Sequence, residues 1–160
     1  MRQPHDLLIV YNKAETSKIR SEFWIAFGQY MKPIPNSEGR RINWPNYRTH
    51  VRNIYFRMKA ENNFASIGIE LGHSDEELQE LYFDQFGQFR KMLEAIVGEV
   101  WNWKLLGENE FGQPVSRIEK VLPNVNVMNS EDWPAIISFL KPRIIALDEF
   151  WENVKPGFES

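Results

Sequence analysis

A chain of 160 residues with 42% hydrophobic and 26% charged side chains and a net charge of −3 has the balance of one folded globular domain, not a disordered segment. It holds no apolar run near the roughly 20 residues that a spanning helix needs. With no cysteine, it has no means of forming disulfides, thiolate nucleophiles or cysteine-ligated metal centres.

The first ten residues read as an N-terminal extension ahead of a single domain at 11–160. The apolar stretch 7–11 follows Asp6 and leads to no small-residue cleavage site, so no secretory signal is expected and a cytoplasmic location is. A first helix is predicted over 14–31, with Ile19, Phe23, Trp24, Phe27, Tyr30 and Met31 on one face. Asn12 or Thr16 is its cap and Pro33 its stop. After a loop rich in turn formers, three strands are predicted as an antiparallel meander: 42–48, 51–59 and 64–71. Pro45 confines the first of these to a sheet edge. In the second, Ile54, Phe56 and Met58 alternate with Tyr55, Arg57 and Lys59, and the turn at Glu61, Asn62 and Asn63 leads into the third.

Ser74 and Glu77 form a predicted capping box for a long second helix. Its stripe of Leu78, Leu81, Tyr82, Phe86, Phe89, Leu93, Ile96 and Val97 runs about 23 residues, or roughly 35 Å, until Gly98. A hairpin follows, with strands at 100–106 and 115–122 and with Trp101, Trp103 and Leu105 on one side of the first. Ser130 and Pro134 open a final helix along Trp133, Ile136, Ile137, Leu140, Ile144, Leu147, Phe150 and Trp151, which Pro142 should kink or split. The expected class is α+β in the order α-βββ-α-ββ-α, one layer of sheet packed by helices.

Four segments, 17–24, 54–58, 132–134 and 141–147, resemble a bacterial family of about 150 residues known only as a domain of unknown function. The likeness runs from about Tyr11 onward. It implies a neighbourhood, since members occur alone or C-terminal to restriction-endonuclease-like nuclease domains in defence settings. It carries no established catalytic residues to transfer.

Charge is unevenly distributed. Residues 1–60 hold 11 Lys and Arg against 4 Asp and Glu, and residues 61–160 hold 8 against 18. Within the basic part, Arg40, Arg41, Arg48, Arg52, Arg57 and Lys59 are interleaved with Trp44, Tyr47 and Tyr55. Guanidinium groups beside aromatic rings suit a phosphate backbone with stacked bases. The plainer alternative is a solvated face neutralised by Asp75, Glu76, Glu77, Glu80 and Asp84 of the second helix.

Other chemistries find less support. The element order matches a restriction-endonuclease core, yet the third strand ends Glu70-Leu71-Gly72, without the lysine that metal-dependent hydrolysis needs there, and Lys59-Ala60-Glu61 supplies no aspartate. Glu70, His73 and Asp75 sit at a strand–helix junction. Their simpler roles are an ion pair from Glu70 to Arg52 or Arg57 and strand termination by His73. No Ser-His-Asp set and no glycine-rich phosphate loop can be assembled. Five tryptophans lie on predicted apolar faces. Trp44, expected on an edge strand among arginines, reads as a partner anchor or an edge cover.

The sequence therefore predicts a non-enzymatic binding module with no cofactor, no metal and no membrane partner. Its expected ligand is nucleic acid. A homodimer covering Trp44 and the sheet edge is the alternative, and a degenerate nuclease-like or metal-dependent enzyme the third choice.

Overall fold

Helix α1 (Lys13–Met31) begins where the sequence places a cap: Asn12 accepts from the Glu15 N–H at 2.8 Å, and the Glu15 carboxylate accepts from the Asn12 N–H at 3.3 Å. The computed structural model describes residues 11–159, so the N-terminal extension expected at 1–10 lies outside the described residues. Phe23, Phe27 and Met31 point from α1 into the core.

Residues 32–53 form one long irregular loop, interrupted only by a 3-10 turn at Trp44–Asn46. The strand expected at 42–48 is therefore absent. Pro45, with its fixed φ, sits in the first turn of that 3-10 segment. The Trp44 ring is 1% exposed and donates its indole N–H to the Ile34 carbonyl at 2.9 Å. Burying this ring turns the segment inward, and that geometry is incompatible with an extended edge strand.

The sheet has four strands: β1 (Ile54–Ala60), β2 (Phe64–Leu71), β3 (Asn102–Glu108) and β4 (Pro114–Pro123), in the order β1-β2-β4-β3 with antiparallel neighbours. The predicted alternation in β1 holds: Ile54 and Phe56 are buried while Tyr55 and Arg57 are exposed. In β3 the alternation fails after Trp103. The register shifts between Lys104 and Gly107, and Leu106 adopts a left-handed φ of 50°. This bulge turns Leu105 out to 37% exposure instead of packing it beside Trp103.

Between the hairpins, the expected single helix is two: α2 (Glu76–Gln88) and α3 (Arg90–Val97). Asp75, not Ser74, is the cap, accepting from the N–H groups of Glu77 and Leu78. The break falls at Phe89 (φ −100°, ψ 11°), just after Gly87, a weak helix former. It lets the Phe89 ring reach Phe158, 6.1 Å between centroids. Gly98, at φ 76°, closes α3 as expected.

Helix α4 (Trp133–Val154) runs unbroken through Pro142. The Arg143 guanidinium donates to the Phe139 carbonyl at 2.9 Å, beside the gap that Pro142 leaves in the helical hydrogen-bond ladder, and it grips Glu99 through two bonds of 2.7 and 3.1 Å. The described helices pack against one face of the sheet, where Ile67, Ile69, Leu71 and Ile118 meet the ring cluster Phe86, Phe150, Trp151 and Phe158. The fold is thus α+β, in the order α-ββ-αα-ββ-α.

Gly68 sits mid-strand where a Cβ would stand 2.5 Å from the Ile118 carbonyl oxygen and 2.6 Å from the Glu119 Cβ. Gly68→Ala must push β2 off β4 and should cost about 1–3 kcal/mol, the usual range for overpacking, read as a lower urea midpoint at unchanged slope.

Candidate anion-binding surface

The basic residues of the loop are displayed by what lies beneath them. Asp148 of α4 is 5% exposed and accepts three hydrogen bonds from the loop: the Tyr47 phenol at 2.6 Å, the Ser37 N–H at 2.7 Å and the Ser37 hydroxyl at 2.9 Å. A buried carboxylate with three donors is satisfied without a cation. Burial, and then the bond to Asp148, pushes the Tyr47 phenol far above its ordinary pKa, so it remains a donor. One turn along α4, the Trp151 indole donates to the Thr49 carbonyl at 3.0 Å. The Thr49 hydroxyl in turn lies 2.7 Å from the Ile54 carbonyl and 3.1 Å from that of Val51, closing the turn that carries Arg52. His50 (φ 61°) and Asn53 (φ 66°) flank that turn in the left-handed region, a conformation that needs surrounding structure to hold it.

On this frame two clefts flank the segment 46–50. The larger, about 600 Å³, lies between the loop and α4 and includes Arg40, Arg41, Arg48, His50 and Lys155. The smaller, about 520 Å³, lies between the loop and β1 and includes Arg48, Arg52, Tyr55 and Arg57. Arg41, Arg48 and Arg52 are exposed and, among the described residues, form no ion pair or hydrogen bond with an acid. Arg40 stands 3.9 Å from Glu38, with both side chains largely in solvent, where such pairs contribute little.

Arg57 and Lys59 leave the loop cluster. They project from β1 on the sheet face opposite the core, where Glu70 takes Arg57 at 3.2 Å and Arg117 at 3.1 Å, and where the Arg57 guanidinium lies 4.1 Å from the Tyr55 ring centre. The expected pairing of Glu70 with Arg57 is present, and Arg52 takes no part. The acids of α2 make no ion pair with the loop arginines among the described residues. Asp75 instead caps its own helix.

The aromatic half of the predicted surface is altered. Trp44 is buried and Tyr47 is half-buried with its hydroxyl engaged, so neither presents a free ring face for stacking, and Trp44 is no anchor for a partner. Tyr55 is exposed, beneath Arg57.

Glu70, His73 and Asp75 do not converge, because each has a separate task. His73 is 3% exposed, stacks on Tyr82 at 4.5 Å and has no hydrogen-bond partner at either ring nitrogen. Among the described residues no group of three His, Asp or Glu side chains is placed to hold a metal ion.

Sequence reasoning missed Asp148 and Ser37. The signal was present: Asp148 falls on the buried stripe of α4 beside Ile144, Leu147 and Trp151, where an acid needs donors. Gln79 was also missed. Its buried side chain donates to the His73 and Pro114 carbonyls and accepts from Ser116, tying α2 to the hairpin β3–β4.

Fold and surface together define a two-layer α+β domain that presents a clamped, arginine-bearing loop. Residues 19–155 match the family described as Domain of unknown function (DUF4268), and the chain belongs to that family. No curated protein and no solved structure matches the chain.

Two expectations follow. Asp148→Ala removes three bonds to one buried carboxylate and should cost about 3 kcal/mol or more. Amide hydrogen exchange should accelerate at Ser37, whose N–H the carboxylate holds, before it does at the β1–β2 ladder. Separately, burial holds the His73 imidazole below its ordinary value of 6.5. The unfolded chain therefore takes up a proton first, so this contribution to stability is intact above about pH 6.5 and declines as pH falls below it. His73→Phe, which keeps the stack on Tyr82, should flatten the loss of stability between about pH 6.5 and 5, measured by denaturant melts.

Proposed function

We propose that the protein is a non-enzymatic domain that binds the phosphate backbone of nucleic acid through loop 32–53. The observation carrying this reading is that Arg41, Arg48 and Arg52 are exposed, lack an acidic partner among the described residues, and sit on a backbone already fixed by Asp148. Guanidinium groups grip phosphate oxygens in pairs, and a fixed loop loses little backbone freedom on binding. With Trp44 and Tyr47 withdrawn, contact falls mainly on phosphates, which predicts tolerance of sequence rather than base readout.

The resemblance to domains found alone or behind nuclease-like domains in restriction and defence settings supports the same direction. On this reading the protein works in the cytoplasm, alongside nucleic acid. No described helix is long and apolar enough to cross a membrane. The dimer reading loses Trp44 as its anchor, and the nuclease-like reading finds Glu70 committed to two arginines.

Fluorescence anisotropy with a labelled strand of about 20 nucleotides at about 50 mM salt tests the proposal. Log affinity should fall against log salt with a slope of about −2 to −3, the value for three phosphate contacts. Arg41→Ala, Arg48→Ala and Arg52→Ala should each remove roughly one unit of that slope. Arg57→Ala, whose guanidinium already serves Glu70, should change it little. Absence of binding at low salt, or affinity indifferent to all three arginines, would overturn the reading.

A further inference from the structure

Among the described residues, strand β1 is an outer strand, paired with β2 alone. The Gly72 N–H bonds the Asn53 carbonyl at one end of this pair and the Glu61 N–H bonds the Phe64 carbonyl at the other. Antiparallel alternation then assigns the inward bonds to Tyr55, Arg57 and Lys59, and turns the N–H and C=O of Phe56 and Met58 away from β2. Among the described residues those outward groups have no hydrogen-bond partner. Ile54 differs, since its carbonyl is taken by Thr49 and its N–H by Val51. The bare edge forms one wall of the 520 Å³ cleft, which loop residues Arg48 and Arg52 help to enclose.

We propose that this edge is a docking site for an extended peptide segment, from a partner protein, in which acidic and apolar residues alternate. The argument rests on three features of the wall. Its backbone presents donors and acceptors in alternation, which another strand matches and a phosphate chain, all acceptors at that level, does not. A strand added to β1 has two faces. On one its side chains meet Phe56 and Met58, and on the other they meet Tyr55, Lys59, which has no acidic partner among the described residues, and Arg57, which Glu70 already holds, so apolar and acidic residues are wanted in turn. A second copy of β1 added antiparallel through its outward groups would set Arg57 opposite its own equivalent or, one step along, opposite Lys59, and like charges directly opposed are unfavourable. Charge thus selects an acidic partner over self-association. The site shares Arg48 and Arg52 with the proposed nucleic-acid surface, but it rests on the backbone edge of β1, whereas Arg41 lines the other cleft alone.

The test uses an end-blocked peptide of about eight alternating glutamate and valine residues, enough to run along a strand edge at roughly 3.3 Å per residue. It is added to the isotope-labelled full chain and followed by amide resonances. Shifts should centre on Phe56 and Met58 and saturate. A lysine–valine peptide should bind at least about tenfold more weakly, as should the protein with Met58→Pro, which removes an outward N–H and leaves the β1–β2 ladder intact. If that variant fails to fold, the peptide itself supplies the control: N-methylation at alternate residues should abolish binding in one register and spare it in the other. The proposal fails if millimolar peptide leaves the Phe56 and Met58 resonances unmoved, if the lysine peptide binds equally well, or if N-methylation in either register has no effect. Retained nucleic-acid affinity alongside such a failure would leave the other site standing.

Discussion

The carboxylate of Asp148 organises more of this molecule than any other polar group. It lies on the buried stripe of α4, where an isolated charge would be strongly unfavourable, and it is satisfied by three donors from residues 37 and 47. Because those donors come from both ends of the loop's central stretch, one side chain fixes the path of the chain between them. Trp44 and Thr49 then hold the flanks, through bonds to Ile34, Val51 and Ile54. An irregular segment of this length would otherwise be expected to move. Here it is fastened to the longest helix.

That fastening also determines the electrostatics. The described helices lie on one face of the sheet, Asp75 is occupied as the cap of α2, and the exposed acids of α2 make no ion pair with the loop arginines among the described residues. The acids nearest the loop are Asp148, consumed by its donors, together with Glu38 and Glu152 at the cleft. The loop arginines thus share their cleft with two carboxylates, yet Arg41, Arg48 and Arg52 pair with no acid among the described residues. On the opposite sheet face the balance differs: Glu70 holds Arg57 and Arg117 together, next to the glycine at position 68.

How much of this was legible in the sequence differs from element to element for physical reasons. The β1–β2 hairpin could be read because period-two alternation and an Asn-Asn turn agree with the tertiary environment. The first helix could be read because its cap is local. The loop could not. Ile42, Trp44 and Arg48 mimic a strand, and only the burial of Trp44 against Ile34, ten residues away, decides otherwise. The break at Phe89 was hidden because its stripe continues helically through Leu93 and Val97. The pull of Phe158, nearly seventy positions later, is invisible to a local window. Of the candidate surface, the arginines were legible from composition and the pairing of Glu70 with Arg57 from the meander. What withdrew Trp44 and Tyr47 from it was long-range burial, which period and propensity do not encode.

The separation of these partners along the chain governs when the surface comes into being. Ser37 and Tyr47 lie 111 and 101 positions from Asp148, and Thr49 lies 102 from Trp151. During synthesis the arginine-bearing segment emerges about a hundred residues ahead of the helix that fastens it, so the loop has no fixed shape until α4 has docked. A nascent chain thus carries its positive charge on a slack tether, and only the finished fold sets that charge into a defined arrangement.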